Sequence, residues 1–134
     1  MRPQVLIVED DTLQAMQLES HVIASGCDVV GPTGYLAEAL HLVETTPIDF
    51  AFLDVRLHEE ESFGVAAALN HRRIPFIFLT AFDRKVPRGA GFRELSLQKP
   101  MTRVVVDKLI KLFNSEIVIC PPSLRLPATK GPKH

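Results

Sequence analysis

The sequence predicts a doubly wound α/β domain, in which a five-stranded parallel sheet is covered by helices on both faces. Short apolar runs rich in valine, isoleucine and phenylalanine are typical of parallel strands that are buried on both sides. Between these runs, apolar residues recur at helical spacing, and this alternation indicates βαβ units. The chain has 134 residues, which is the length of one domain with a single core.

The first half of the chain contains two strand–helix units. Residues 5–8 (VLIV) and 28–31 (DVVG) are the predicted strands. The first helix ends at Gly26, and its apolar stripe consists of Ala15, Leu18 and Val22, widened by Met16 and Ile23. The second helix has one apolar face, formed by Leu36, Ala39, Leu40 and Val43.

The second half repeats the pattern and then weakens. Strands are predicted at 50–53 and 76–79, with a third helix between them marked by Val65, Ala68 and Leu69. Residues 83–93 contain a proline and two glycines, so the fourth helix is predicted to be shortened or degenerate. A short fifth strand at 95–97 precedes a final helix at 101–113, with Val105, Leu109 and Leu112 on one stripe and Val106, Ile110 and Phe113 beside it. We expect one domain over 1–115 and a largely disordered tail over 116–134.

Composition excludes several classes of function. The net charge is -1, with 46% hydrophobic and 23% charged residues, so the chain lacks the basic excess of a nucleic-acid-binding protein. It has no apolar run long enough for a membrane span or a signal peptide, and we expect a cytoplasmic protein. Cys27 and Cys120 lie far apart and match no zinc or disulfide pattern.

Polar residues follow four of the five predicted strands, where parallel strands bring their carboxyl ends to one edge. The first strand ends in Glu9, Asp10 and Asp11, the third in Asp54, and the fourth in Thr80, while the fifth leads to Lys99. Converging carboxylates repel each other unless a cation is present, and hard oxygen ligands suit Mg²⁺. A carboxylate such as Asp54 can accept a phosphoryl group, which Lys99 and Thr80 could help to neutralise and position.

The sequence resembles the receiver domain of response regulators in two-component signalling, which has a flavodoxin-like fold. The resemblance covers residues 3–114 and rests on four segments in order: VLIVEDD (5–11), FLDVRL (52–57), FLTA (78–81) and QKP (98–100). It implies phosphorylation of Asp54, with Thr80 as the switch hydroxyl and Lys99 as the phosphate-pairing lysine. It also implies a Mg²⁺ site formed by Glu9, Asp10, Asp54 and the backbone carbonyl of Arg56.

The resemblance further implies a phosphorelay function. We expect a stand-alone response regulator that takes its phosphoryl group from a histidine kinase or a histidine phosphotransfer protein, and signals through contacts with a downstream protein. The chain is similar to an alphaproteobacterial subgroup of such receivers, although Leu79 and Ala81 depart from its fourth-strand motif. Ser96 stands where many receivers have an aromatic switch residue, so another route must transmit the signal.

The same residues allow other interpretations. The chain could be a pseudo-receiver that binds partners without being phosphorylated. A phosphatase of the haloacid dehalogenase type would need an aspartate where Arg56 stands, so we expect no enzyme beyond the domain's own phosphorylation and dephosphorylation. Asp11 and Gln14 have the spacing of a helix capping box. The charged run at 58–61 is predicted to be a solvated face rather than a metal cluster.

Overall fold

A computed structural model describes residues 2–58, 60–80, 96–98 and 102–114. The strands are β1 (Gln4–Val8), β2 (Asp28–Thr33), β3 (Phe50–Asp54), β4 (Arg56–Leu57), β5 (Glu60–Glu61), β6 (Phe76–Thr80) and β7 (Ser96–Gln98). The helices are α1 (Thr12–Ala24), α2 (Leu36–Thr45), α3 (Phe63–His71) and α4 (Arg103–Asn114). From β1 to β6, strands and helices alternate as the sequence predicts, apart from an additional hairpin after β3.

Five of the strands form one parallel sheet in the order β2-β1-β3-β6-β7. Helix α1 packs with α4 and helix α2 packs with α3, so helices form two pairs around the sheet. The predicted doubly wound α/β class is therefore confirmed. From β1 the chain adds β2 on one side of the sheet and then β3, β6 and β7 on the other side, so the switch point of the strand order lies between β1 and β3. Ligands of such sheets bind at the switch point, beyond the carboxyl ends of the strands.

The core lies against the central strands β1, β3 and β6, whose side chains are buried on both faces. Every residue of β3 is buried, including the carboxylate-bearing Asp54 at its end. Phe50, Phe52, Phe76 and Phe78 are among the largest fully buried side chains, and the two pairs within β3 and β6 meet edge to face. Burying one such side chain stabilises the fold by about 1.5–3 kcal/mol, so β3 is firmly held up to Asp54.

Two predicted helix faces are narrower than expected. Ala15, Leu18 and Val22 are buried in α1 as predicted, but Met16 and Ile23 are 60% and 50% exposed and do not widen the stripe. On α4, Val106 and Ile110 are buried and Leu109 packs against the core, while Val105 is exposed. Only one side of each helix reaches the sheet, so a broader apolar stripe leaves its flank in water.

Strand β2 extends beyond its predicted end at Gly31. The pairing register between β1 and β2 shifts at this point, and Val8 then pairs with Thr33. Gly31 has φ +92, and a Cβ there would meet the backbone nitrogen of Thr33 at 3.0 Å and the backbone oxygen of Ile7 at 3.1 Å. Glycine therefore permits the irregularity that carries β2 forward beside the end of β1.

A small hairpin, not predicted from the sequence, follows β3 directly. Strands β4 and β5 are antiparallel, with Arg56 opposite Glu61 and Leu57 opposite Glu60. Leu57 is buried, whereas Glu60 and Glu61 are exposed. The prediction of a solvated face is confirmed for these two glutamates, and the hairpin turns the chain at the carboxyl end of the sheet.

Helices α1 and α4 are also linked by polar contacts. The Ser25 hydroxyl donates to Asp107 Oδ1 at 3.1 Å, and Lys111 Nζ lies 3.1 Å from Asp107 Oδ2. Lys111 and then Ser25 hold the pKa of Asp107 below its ordinary value. In the part of the chain that the structure describes, no helix has the length and apolar character needed to cross a membrane.

Two further predictions lie outside the described residues. These are the shortened fourth helix at 83–93 and the tail at 116–134.

Candidate functional site

Three carboxylates meet at the switch point of the sheet. Glu9 and Asp10 follow β1, and Asp54 ends β3, the strand that pairs with β1. One oxygen from each side chain lies within 4.8 Å of the others. Glu9 and Asp54 are buried, while the Asp10 side chain is 25% exposed. The structure thus brings together the three carboxylates that the sequence predicts as cation ligands.

Hydrogen bonds to backbone groups hold Glu9 in place. Its amide donates to the carbonyl of Thr33 at 2.8 Å, which extends the pairing of β1 with β2 by one residue. Its carboxylate accepts a hydrogen bond from the Asp11 amide at 3.1 Å. Asp11 in turn caps α1, because its Oδ1 accepts from the Gln14 amide at 2.9 Å. The capping interpretation of Asp11 is confirmed, and the Glu9 carboxylate is linked through the Asp11 amide to the N-terminus of α1.

Asp10 lies against Gly34, the first residue after β2. A Cβ at Gly34 would meet Asp10 Cα at 2.8 Å and Asp10 Cβ at 3.1 Å, closer than side-chain carbons approach a backbone. Glycine is therefore needed here for close approach rather than for an unusual backbone angle. The loop after β2 and the loop after β1 come into contact only because this position has no side chain.

The backbone of Asp54 is fixed by a buried hydroxyl. Ser62, which precedes α3, is fully buried, and its Oγ lies 2.5 Å from the Asp54 carbonyl oxygen and 3.2 Å from that of Val55. The Ser62 amide also donates to the Val55 carbonyl at 2.9 Å. On the other side, the Val55 amide donates to the Leu79 carbonyl of β6 at 3.2 Å. Asp54 is thus held between the start of α3 and the neighbouring strand.

The turn of the β4–β5 hairpin contacts Asp10. The His58 amide donates to Asp10 Oδ2 at 2.6 Å, and the His58 ring stacks on Tyr35 with centroids 4.7 Å apart. Beside this contact is a groove of about 450 Å³. Its walls come from the loops after β1 and β2, from the hairpin turn and from α1, including Met16 and Glu19. The acidic cluster therefore has an open side toward α1.

The remaining predicted site residues are described only in part. Arg56 lies in β4, two residues after Asp54, and Thr80 ends β6, where it pairs with Gln98 of β7. Both lie at the same edge of the sheet as the carboxylates. Lys99 lies outside the described residues, although it directly follows Gln98 in the chain. The roles of the Arg56 carbonyl, the Thr80 hydroxyl and Lys99 stay predictions.

Sequence reasoning missed several residues that shape the site. Gly34, Tyr35, His58 and Ser62 act through close approach, ring stacking or a single hydrogen bond, and none of these has a fixed spacing in the sequence. Gly34 carries a sequence signal, because a glycine between a strand and a helix at a ligand-binding edge suggests close approach. A serine before an apolar helical run suggests a helix N-cap, but the Ser62 side chain makes no capping hydrogen bond and contacts the Asp54 carbonyl instead.

The donor set of the cluster fits a hard cation. It offers three carboxylate oxygens within a small radius and, among the residues that the structure describes, no sulfur or imidazole belongs to the group. Two of the three carboxylates are buried, where mutual repulsion is strongest, so a divalent cation would stabilise the ionised cluster. Mg²⁺ prefers oxygen ligands and typically takes one or two carboxylates together with water.

Fold and site together define a class of protein: a flavodoxin-like α/β domain with an acidic pocket at its switch point. The model of the response regulator receiver domain matches residues 5–109, so the chain belongs to this family. Receiver domains act in two-component signal transduction and generally bind Mg²⁺ at an acidic pocket. The resemblance inferred from the four sequence segments is therefore confirmed at the level of the family.

Solved structures and curated proteins give more specific similarities. SdrG from Sphingomonas melonis Fr1 is 42% identical with a TM-score of 0.72, over 82% of this chain and 94% of that one. The receiver domain of PhyR from Erythrobacter litoralis is 26% identical with a TM-score of 0.68, over 86% and 93%. The transcriptional regulatory protein PdtaR of Mycobacterium tuberculosis is 32% identical over 83 residues, 61% of this chain. The matched region spans 40% of PdtaR, so that protein's overall activity does not transfer to this chain.

Proposed function

We propose that this receiver domain is phosphorylated on Asp54 in a reaction that depends on Mg²⁺, and that it signals through contacts with other proteins. The phosphodonor is a histidine kinase or a histidine phosphotransfer protein. One observation carries the proposal: Glu9, Asp10 and Asp54 lie within 4.8 Å of one another at the switch point of the sheet. A structural role alone does not explain three carboxylates gathered at this edge with two of them buried.

The proposed chemistry assigns a role to each candidate residue. A carboxylate oxygen of Asp54 attacks the phosphorus of the donor phosphohistidine, the phosphorus–nitrogen bond breaks, and an acyl phosphate forms on Asp54. Bound Mg²⁺ would be held by Glu9, Asp10, Asp54 and the Arg56 carbonyl, and would supply positive charge for the phosphoryl oxygens. Lys99 and the Thr80 hydroxyl are proposed to contact the same oxygens.

The structure supports this role for Asp54 by the way it holds the residue. Ser62 and the neighbouring strand β6 fix the backbone on either side of Asp54, so the carboxylate leaves a rigid strand end. Phosphoryl transfer depends mainly on positioning and charge neutralisation, and a fixed nucleophile reduces the entropy lost on reaching the transition state. We propose no catalytic activity beyond this domain's own phosphorylation and dephosphorylation.

Relatives support the same chemistry and the proposed type of output. A BeF3-activated conformation is known for SdrG from Pseudomonas melonis Fr1, which is 40% identical with a TM-score of 0.66 over 81% of this chain. PhyR of Bartonella quintana, an anti-anti-sigma factor, is 28% identical with a TM-score of 0.67 over 82% of this chain. The match spans 47% of that PhyR chain. We therefore propose output through a protein partner and leave its class open.

The direct test is intact-mass spectrometry after incubation with acetyl phosphate, with and without Mg²⁺. We expect one phosphoryl adduct on the wild type when Mg²⁺ is present, and no adduct after chelation or in Asp54→Asn. Asp11→Asn is the matched control, because it also removes a carboxylate beside the cluster while retaining a good helix cap. That variant should form the adduct like the wild type.

Two results would contradict the proposal. Absence of the adduct from the wild type at saturating Mg²⁺ and acetyl phosphate would leave a receiver fold that works by binding alone. An adduct that persists in Asp54→Asn would place the phosphorylated residue elsewhere in the chain.

A further inference from the structure

Tyr35 and His58 connect two loops across the acidic cluster. Tyr35 follows Gly34 in the loop after β2, and His58 is the turn residue of the β4–β5 hairpin. Their rings are stacked, with centroids 4.7 Å apart and an interplanar angle of 26°. Tyr35 is 62% exposed, so burial in the core does not account for this aromatic side chain.

The backbone of His58 suggests what the stack achieves. His58 has φ 54, in the left-handed region that residues other than glycine rarely adopt. In this conformation its amide donates a short hydrogen bond, 2.6 Å long, to Asp10 Oδ2. The stacking of its ring on Tyr35 is a second contact of the same residue, made to the loop after β2.

We propose that Tyr35 and His58 are positioning residues for the Asp10 carboxylate and thereby set the affinity of the site for a divalent cation. This inference rests on the proposed function of the cluster. The N–H of His58 fixes one carboxylate oxygen of Asp10 and leaves the second oxygen for the cation. Hydrogen-bond partners of this kind orient metal ligands, and their loss typically weakens metal affinity.

A purely structural role makes a different prediction. If the stack only joined two loops, its loss would lower stability and leave cation affinity unchanged in the folded protein. Tyr35 suits this distinction because its backbone is extended, with φ -121, and its side chain is exposed. Replacing its ring therefore removes the stack without straining the main chain or opening a cavity.

The experiment measures binding of Mn²⁺, counted as free ion by electron paramagnetic resonance, with Mg²⁺ as competitor. Tyr35→Leu removes one ring of the pair and nothing that contacts Asp10 through the His58 side chain. His58→Asn removes the other ring together with its Nδ1, which lies 3.9 Å from Asp10 Oδ2, and Asn tolerates the left-handed conformation at position 58. We expect the dissociation constant to rise roughly tenfold in both variants, the lower end of the effect of outer-shell partners. Tyr35→Phe keeps the ring and should retain wild-type cation affinity. Urea unfolding should show that all variants are folded.

Tyrosine fluorescence gives an independent readout. The chain contains one tyrosine and no tryptophan, so its emission comes from Tyr35 alone. In the wild type, we expect Mg²⁺ to change this emission with the same midpoint as in the Mn²⁺ competition. In His58→Asn, where the ring contact that links Tyr35 to the cluster is gone, the change should be lost.

The outcomes separate this inference from the proposed function. Wild-type binding that is lost in Asp10→Asn but unchanged in Tyr35→Leu and His58→Asn would overturn the positioning role and leave the cation site intact. An equal loss in Tyr35→Phe and Tyr35→Leu would also overturn it, because the ring would then not be the active feature. A wild type that binds neither cation would overturn both the cation site and the positioning role.

Discussion

Gly34→Ala tests how closely the two loops around Asp10 must approach. The added methyl group would sit 2.8 Å from Asp10 Cα and 3.1 Å from Asp10 Cβ. The first distance is about 0.6 Å short of the 3.4 Å at which ordinary van der Waals contact begins, so the Asp10 backbone must move by about that amount. A change of side-chain rotamer cannot relieve the clash, because the clashing atoms are the Cα and Cβ of Asp10.

Two effects of opposite sign determine the size of the stability change. Forcing an extra carbon into a packed contact costs about 1–3 kcal/mol. Replacing glycine by alanine stabilises the folded state by about 0.4–1 kcal/mol, because it restricts the conformations of the unfolded chain. We therefore expect the free energy of unfolding to fall by about 1–2 kcal/mol. The displaced Asp10 should also weaken cation binding, since the ligand no longer faces Glu9 and Asp54 as it does in the wild type.

Gly64→Ala is the matched control. Gly64 is exposed near the start of α3, and a Cβ there would meet no atom within 4 Å. The same substitution should therefore raise the free energy of unfolding by about 0.5–1 kcal/mol through helix propensity and leave cation affinity unchanged. Urea unfolding and Mn²⁺ binding on both variants give the comparison. Equal stability and equal affinity of the two variants would refute the close-approach argument.

Two further predictions concern Ser62 and Asp28. Ser62→Ala removes the buried hydroxyl bonded to the Asp54 carbonyl and should lower the free energy of unfolding by about 1–3 kcal/mol. The hydroxyl of Ser25 makes a hydrogen bond that is only part-buried, so Ser25→Ala should lower the free energy of unfolding by less. A larger loss in Ser25→Ala than in Ser62→Ala, measured by urea unfolding, would contradict this reasoning. Hydrogen bonds from Arg2, and to a lesser extent from Gln4, lower the pKa of Asp28. The contribution of Asp28 to the free energy of unfolding is therefore fully present above the ordinary pKa of 3.8 and is lost as the pH falls through the lowered pKa. Asp28→Asn should therefore reduce stability at neutral pH and converge with the wild type in acid, and a constant difference across urea titrations at several pH values would argue against this linkage.

The sequence predicts the fold well because buried strands impose strong local patterns. The continuous apolar runs of β1, β3 and β6 leave little choice of structure, and the predicted start of each strand lies within one residue of the observed start. The same reasoning predicts that Glu9, Asp10 and Asp54 converge, since parallel strands share one carboxyl edge. Helix faces were predicted less well. Met16 has helical spacing, but exposure at the edge of a stripe depends on how far the sheet reaches beneath it.

The residues that the sequence did not reveal share a physical property. Gly34 and His58 affect Asp10 through the backbone, one by lacking a Cβ and the other by donating its amide. Ser62 acts on the carbonyl of Asp54 rather than on its carboxylate. Contacts of this kind link residues that are 8 to 48 positions apart, and a single sequence contains no local periodicity that would report them.

The site therefore has two levels of specification. The chemical level consists of the carboxylates, and their identity and strand-end positions can be read directly from the sequence. The geometric level consists of what limits their movement: Gly34 and the His58 amide for Asp10, and Ser62 for the backbone of Asp54. Cation affinity depends on both levels, because a carboxylate contributes fully only when it does not have to be ordered on binding. A substitution at the geometric level should therefore weaken the site while leaving every predicted ligand in place.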